Sequence, residues 1–154
     1  MNYPLIIHSI LRWAVLLFGL WTVFGALSGV ISKRNYTAND NRASLFFMIS
    51  CDIQLLIGLY LYFNGAWFNM LKSNFKEVMK DGATRFFTME HALMMIIAWL
   101  MVHIGRSMVK RSGSDAQKHK KTLIWFGIAL LIILAMIPWP FRAIGIAREW
   151  FPHF

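Results

Sequence analysis

Four apolar runs, each close to the length of a bilayer crossing, constrain this chain more than any other feature of it. They extend approximately over residues 5–31, 44–63, 86–105 and 122–139. About 20 mostly apolar residues suffice for a helix to cross the hydrocarbon core. Inside lipid every backbone N–H and C=O needs a partner within the segment, so runs of this kind become helices. The expectation is an all-α fold, an integral membrane four-helix bundle forming one unit over residues 1–154. The first run does not read as a secretory signal, because it lacks a basic start and no small-residue cleavage site follows it cleanly. Composition agrees: 58% of residues are hydrophobic and 15% charged, against about half and a quarter in soluble domains.

The formal charge of +9 raises nucleic acid as a partner, but the basic residues sit between the apolar runs and build no basic face. Lipid headgroups explain them better, and the seven Trp and thirteen Phe suit the two membrane interfaces. Lys33, Arg34 and Arg42 follow the first run. Arg106, Lys110, Arg111, Lys118, Lys120 and Lys121 follow the third. The opposite side carries Lys72, Lys76, Lys80, Arg85, Arg142 and Arg148. The positive-inside rule then places both termini outside, in the periplasm of a bacterial inner membrane. Between the second and third runs, AWFNMLKSNFKEVMKDG repeats apolar residues at helical spacing opposite Lys72, Lys76 and Lys80. That pattern predicts an amphipathic interfacial helix ended near Gly82.

Polar residues inside the runs carry the chemistry. His8 and Arg12 are one turn apart in the first run, and His91 lies at a similar depth in the third, which runs in the same direction. Two imidazoles at one depth on two helices suggest a ligand gripped between them. Haem b, held without covalent attachment, fits best: histidine is a standard axial ligand, and no C-x-x-C-H is present. Its two propionates call for cations, and Arg12 and Arg142 are the candidates. Asp52, in the middle of the second run, is a rival partner for Arg12 or a residue for proton transfer or quinone contact. His103 reads as a satisfied helix-end histidine, with quinone contact as the other reading. His119 is expected in a loop and His153 in the tail. A lone cysteine, Cys51, excludes an internal disulfide. The G-x-x-x-G of Gly25–Gly29 reads as close helix packing within the bundle, or between the copies of a homodimer.

The segments HSILRW, CDIQLLIGLYLY, EHALMM and IPWPFR resemble the small four-helix membrane proteins grouped as cytochrome B in Bacteroidetes, over nearly the whole chain. More loosely the chain resembles the cytochrome b561 and copper-resistance D groups, though it lacks the four paired intramembrane histidines of the former. The first resemblance implies a b-type haem with His8 and His91 as axial ligands. The leading expectation is therefore an electron-transfer protein rather than a self-contained catalyst, with quinone as a candidate exchange partner. Two other classes stand beside it: a copper transport or resistance protein using histidines and methionines, and a cofactor-free accessory subunit of a respiratory or secretion complex. No nucleophile–base pair, phosphate loop or H-E-x-x-H appears, which argues against hydrolysis.

Overall fold

A computed structural model describes residues 3–151; His153 lies outside them. Four helices long and apolar enough to cross a membrane dominate it, and no strand occurs among the described residues. They are α1 (Tyr3–Ser32), α2 (Ala38–Asn64), the composite Gly82–Lys110, and α7 (Asp115–Met136). The composite consists of α5 (Gly82–Arg85), a π-helical turn (Phe86–Glu90) and α6 (His91–Lys110). Each helix packs on its neighbours in the order α1, α2, α6, α7 and back to α1, most loosely along α2–α6. This is a multi-pass, four-helix membrane bundle.

The two ends of the bundle differ in construction. At one end, the α1–α2 and α6–α7 connections are short and tightly capped. Thr37 and Asp40 form a reciprocal capping box at the start of α2. Both Asp40 oxygens also accept from Arg34 at 2.7 Å, and Arg34 donates to the Gly25 carbonyl. Ser114 caps α7 through the amide of Gln117. The G-x-x-x-G serves packing inside the bundle: a Cβ on Gly29 would lie 2.2 Å from Nδ1 of His119. His119 is no loop residue. It belongs to α7, is fully buried, and its ring meets Tyr36 at 5.2 Å.

At the termini end, the predicted amphipathic helix is broken in two. α3 (Ala66–Ser73) and α4 (Phe75–Lys80) meet at Asn74, whose backbone (φ −138°, ψ 46°) leaves the helical region. Gly82 starts the next helix instead of ending this one, because Asp81 caps the new N-terminus through the Thr84 amide. The fourth span stops at Met136, three residues before its expected limit, as Ile137 turns extended ahead of Pro138. From there the chain folds back over the bundle, with Arg148 N–H donating to the Pro138 carbonyl at 2.9 Å. Trp13, Trp139, Trp150 and Phe151 cluster around this return.

Candidate functional site

Between α1, α2 and α6, at the termini end, lies a cavity of about 710 Å³. That falls within the roughly 300–1,000 Å³ of small-molecule and cofactor pockets. The looseness of the α2–α6 seam makes room for it. Its walls are apolar and aromatic, with Met95, Trp99, Tyr62 and Phe87 among them, and a few polar groups converge on it. Trp67 of α3 also lines it and stacks on Phe87 at 5.2 Å, so the broken connecting helix roofs the space.

His8 and His91 both line this cavity. His91 follows the π-helical turn directly, its N–H bonding back to the Phe86 carbonyl five residues earlier. A π turn inserts one residue into the helical register, and such turns occur often at functional sites. The Tyr62 hydroxyl donates to the Thr88 carbonyl inside the turn and braces it from α2. Nδ1 of His91 stands 2.9 Å from the Met136 carbonyl. A carbonyl only accepts, so Nδ1 carries the hydrogen and Nε2 keeps its lone pair, the form a metal-ligating imidazole takes. Glu90 points elsewhere and pairs with Arg85 at 2.7 Å.

His8 packs against Gly58 of α2, where a Cβ would come within 3.2 Å of the ring. Gln54 donates to the His8 carbonyl at 2.9 Å and so ties α1 to α2 beside the ring. Three buried polar atoms of cavity-lining residues lack any partner among the described residues: Nδ1 of His8, Nε of Arg12 and Oε1 of Gln54. Buried polar groups are nearly always hydrogen-bonded. All three belong to side chains of the cavity wall.

Arg12 is buried, and among the described residues neither Asp52 nor any other carboxylate is its hydrogen-bond partner. Its Nη2 donates to the Trp150 carbonyl at 2.7 Å and to Glu149 O at 3.4 Å, and its guanidinium sits 5.3 and 6.0 Å from the Trp13 and Trp139 rings. The returning tail is therefore what makes this arginine tolerable. Arg142 lies elsewhere: it donates to the Ala135 and Ile137 carbonyls at the end of α7, and its guanidinium covers Phe86. The second arginine in the cavity wall is Arg148, 4.5 Å from the Phe87 ring centre.

Asp52 is engaged on α6. Its Oδ1 accepts from Trp99 Nε1 at 2.6 Å and meets Nε2 of His103 at 2.7 Å. Among the described residues no group of three or more His, Cys, Asp or Glu is placed to hold a bare metal ion. A porphyrin iron needs only two axial side chains, because the macrocycle supplies its other four donors. Sequence reading missed Arg148, Gln54, Gly58 and Trp99. A glutamine and a glycine inside an apolar span were the legible signals for two of them, whereas Arg148 reaches the site only because the tail folds back. No protein-family model, curated protein or solved structure matches the chain.

Proposed function

We propose that the cavity holds a non-covalent haem b and that the protein passes single electrons at the membrane face where its termini lie. The observation that carries this reading is the pair of imidazoles from α1 and α6 lining one cavity, together with the three unpartnered buried atoms beside them. His8 and His91 would hold the haem iron. The Met136 carbonyl orients His91 through its Nδ1–H, and Gly58 leaves room for the His8 ring. Arg12 and Arg148, both in the cavity wall, would meet the propionates, while the aromatic walls would keep water from the macrocycle. Bound there, the iron porphyrin supplies reversible one-electron transfer. The loop end carries nine of the basic residues and the other end six, which by the positive-inside rule supports a loop end in the cytoplasm and a cavity on the periplasmic side of a bacterial inner membrane.

An absorption spectrum of detergent-purified protein, oxidised and then dithionite-reduced, tests the proposal. The expected result is a Soret shift with sharp α and β bands. A colourless protein carrying stoichiometric copper overturns it in favour of copper handling, and a colourless, metal-free one in favour of an accessory subunit.

A further inference from the structure

Asp52 is the only one of the seven acidic residues in the middle of a candidate span. Its side chain and that of His103 each keep 35% of their surface exposed. The neighbouring exposed residues are Ile49, Ile53 and Leu56 on α2 and Leu100 and Ile104 on α6, so this polar pair opens into the lipid-facing surface. An ionisable group held there is a functional site by default, because hydrocarbon offers it no water.

The hydrogen bonds define what the pair can accept. Oδ1 of Asp52 takes the Trp99 N–H, so this oxygen acts as an acceptor. Nε2 of His103, 2.7 Å from the same oxygen, therefore carries the hydrogen, and in the neutral ring Nδ1 is the nitrogen with the lone pair. Oδ2 of Asp52 and Nδ1 of His103 have no partner among the described residues. The result is two acceptors and no donor, presented to lipid by a carboxylate-oriented imidazole, the arrangement that makes histidine a proton acceptor.

We propose that Asp52, His103 and Trp99 form a binding site for the head group of a lipid-soluble hydroquinone, entered from the bilayer between α2 and α6. The hydroxyls of a hydroquinone donate to these acceptors, whereas the oxidised quinone carries only acceptors and is rejected. Trp99 connects this site to the cavity: its N–H holds Asp52 while its side chain lines the cavity wall. The binding site stands on its own geometry; delivery of electrons from it to the cavity rests on the proposed function.

Full-length protein in lipid nanodiscs, titrated with a short-chain alkyl benzohydroquinone and with its quinone, tests the site directly. The hydroquinone should bind at least tenfold more tightly than the quinone. Asp52→Asn and His103→Phe should each lose at least tenfold in that affinity, with helicity by circular dichroism unchanged. Equal binding of the two redox forms, or variants that bind like the parent, would overturn the inference. Dissociation of an oligomer in Asp52→Asn with hydroquinone affinity intact would also overturn it, by identifying a contact between copies. If the protein carries haem, reduction by hydroquinone should slow at least tenfold in both variants while reduction by dithionite keeps its rate. If binding behaves as stated and no haem is present, the proposed function fails and this site stands.

Discussion

Two arginines are buried in the bundle to almost the same extent, Arg12 at 8% exposure and Arg106 at 7%, so depth does not distinguish them. Their partners do. Arg106, at the loop end, donates to the Ser44 hydroxyl at 2.7 Å, the Asn41 side chain at 3.2 Å and the Asn41 carbonyl at 3.3 Å, all on α2. Arg12 leans on the carbonyls of a returning tail and leaves Nε unpartnered in a cavity wall. The histidines divide by space rather than by partners, since both ring nitrogens of His119 lack one among the described residues. His119 fills closed packing against Gly29, whereas His8 and His91 border empty volume. A charged or titratable group in an apolar helix thus serves structure where the fold closes around it. Where the fold leaves a hollow beside it, it is available to a ligand.

The sharpest break of that contrast is spectroscopic. His8→Ala and His91→Ala should each abolish the reduced-minus-oxidised haem signal, because no other histidine among the described residues lines the cavity. His119→Ala and His103→Ala should leave it in place. Loss of the signal in the His119 variant instead would mean that the wrong end of the bundle had been chosen. Next in size is the arginine pair. Arg106→Ala strands the Asn41 and Ser44 acceptors and should destabilise the bundle by about 3 kcal/mol, read as a lowered midpoint in detergent, with haem content per folded molecule unchanged. Arg12→Ala should do the reverse, weakening haem retention with a smaller change in midpoint. Equal loss of stability in the two variants, with equal haem content, would erase the distinction between the ends.

Much of the architecture was legible in the chain because lipid imposes it: each apolar run had to be a helix, and the limits fell within a few residues except where caps extend them. Thr37–Asp40 begins α2 six residues before the apolar run starts, since a capping box needs polar residues that hydropathy discounts. The convergence of His8, Arg12 and His91 on one cavity followed from depth along parallel spans, a one-dimensional quantity that sequence contains. Rotation about the helix axis is not such a quantity. The π turn ahead of His91 shifts the register by one residue, and no residue type announces it. Arg142 and Arg148 were indistinguishable by position, since the turns of the tail decide which of them reaches the cavity. Asp52 and His103 lie 51 residues apart, and only the packing of α2 on α6 pairs them.

Two glycines give a smaller test of the same contrast. A methyl at Gly29 would lie 2.2 Å from His119 Nδ1 and 2.5 Å from Cγ of the same ring, a ring closed in on all sides. Gly29→Ala should cost about 2 kcal/mol through overpacking and leave haem spectra alone. At Gly58 the added methyl would stand 3.2 Å from His8 Cε1, and that ring borders open volume into which it can move by a few tenths of an ångström. Gly58→Ala should therefore change the melting midpoint little while shifting or broadening the α band, because the imidazole proposed to hold the iron has been displaced. A Gly58 variant as unstable as the Gly29 one would show that the cavity is filled by packing after all.

The smallest effect belongs to Asp81, outside the spans, which caps α5 beneath the composite helix that carries His91. Its carboxylate accepts the Thr84 N–H at 2.8 Å, and hydrogen bonding from the Thr84 side chain and then from this amide holds its pKa below the ordinary aspartate value. A depressed carboxylate stabilises the folded form above the ordinary pKa, and that contribution disappears as pH falls through the depressed value. The protection of the Thr84 amide against hydrogen exchange should accordingly hold steady from neutral pH down to the usual carboxylate range and decline below it. Asp81→Ala should remove that acid-side decline and lower protection at neutral pH to the level the parent reaches in acid. Since the carboxylate is fully exposed, the change should remain in the first turn and leave the His91 environment, read by the haem spectrum, untouched. A spectral change tracking Asp81 protonation would mean that the roof and the cavity move as one unit, and the hollow end would then be less independent of its surface than the packed end.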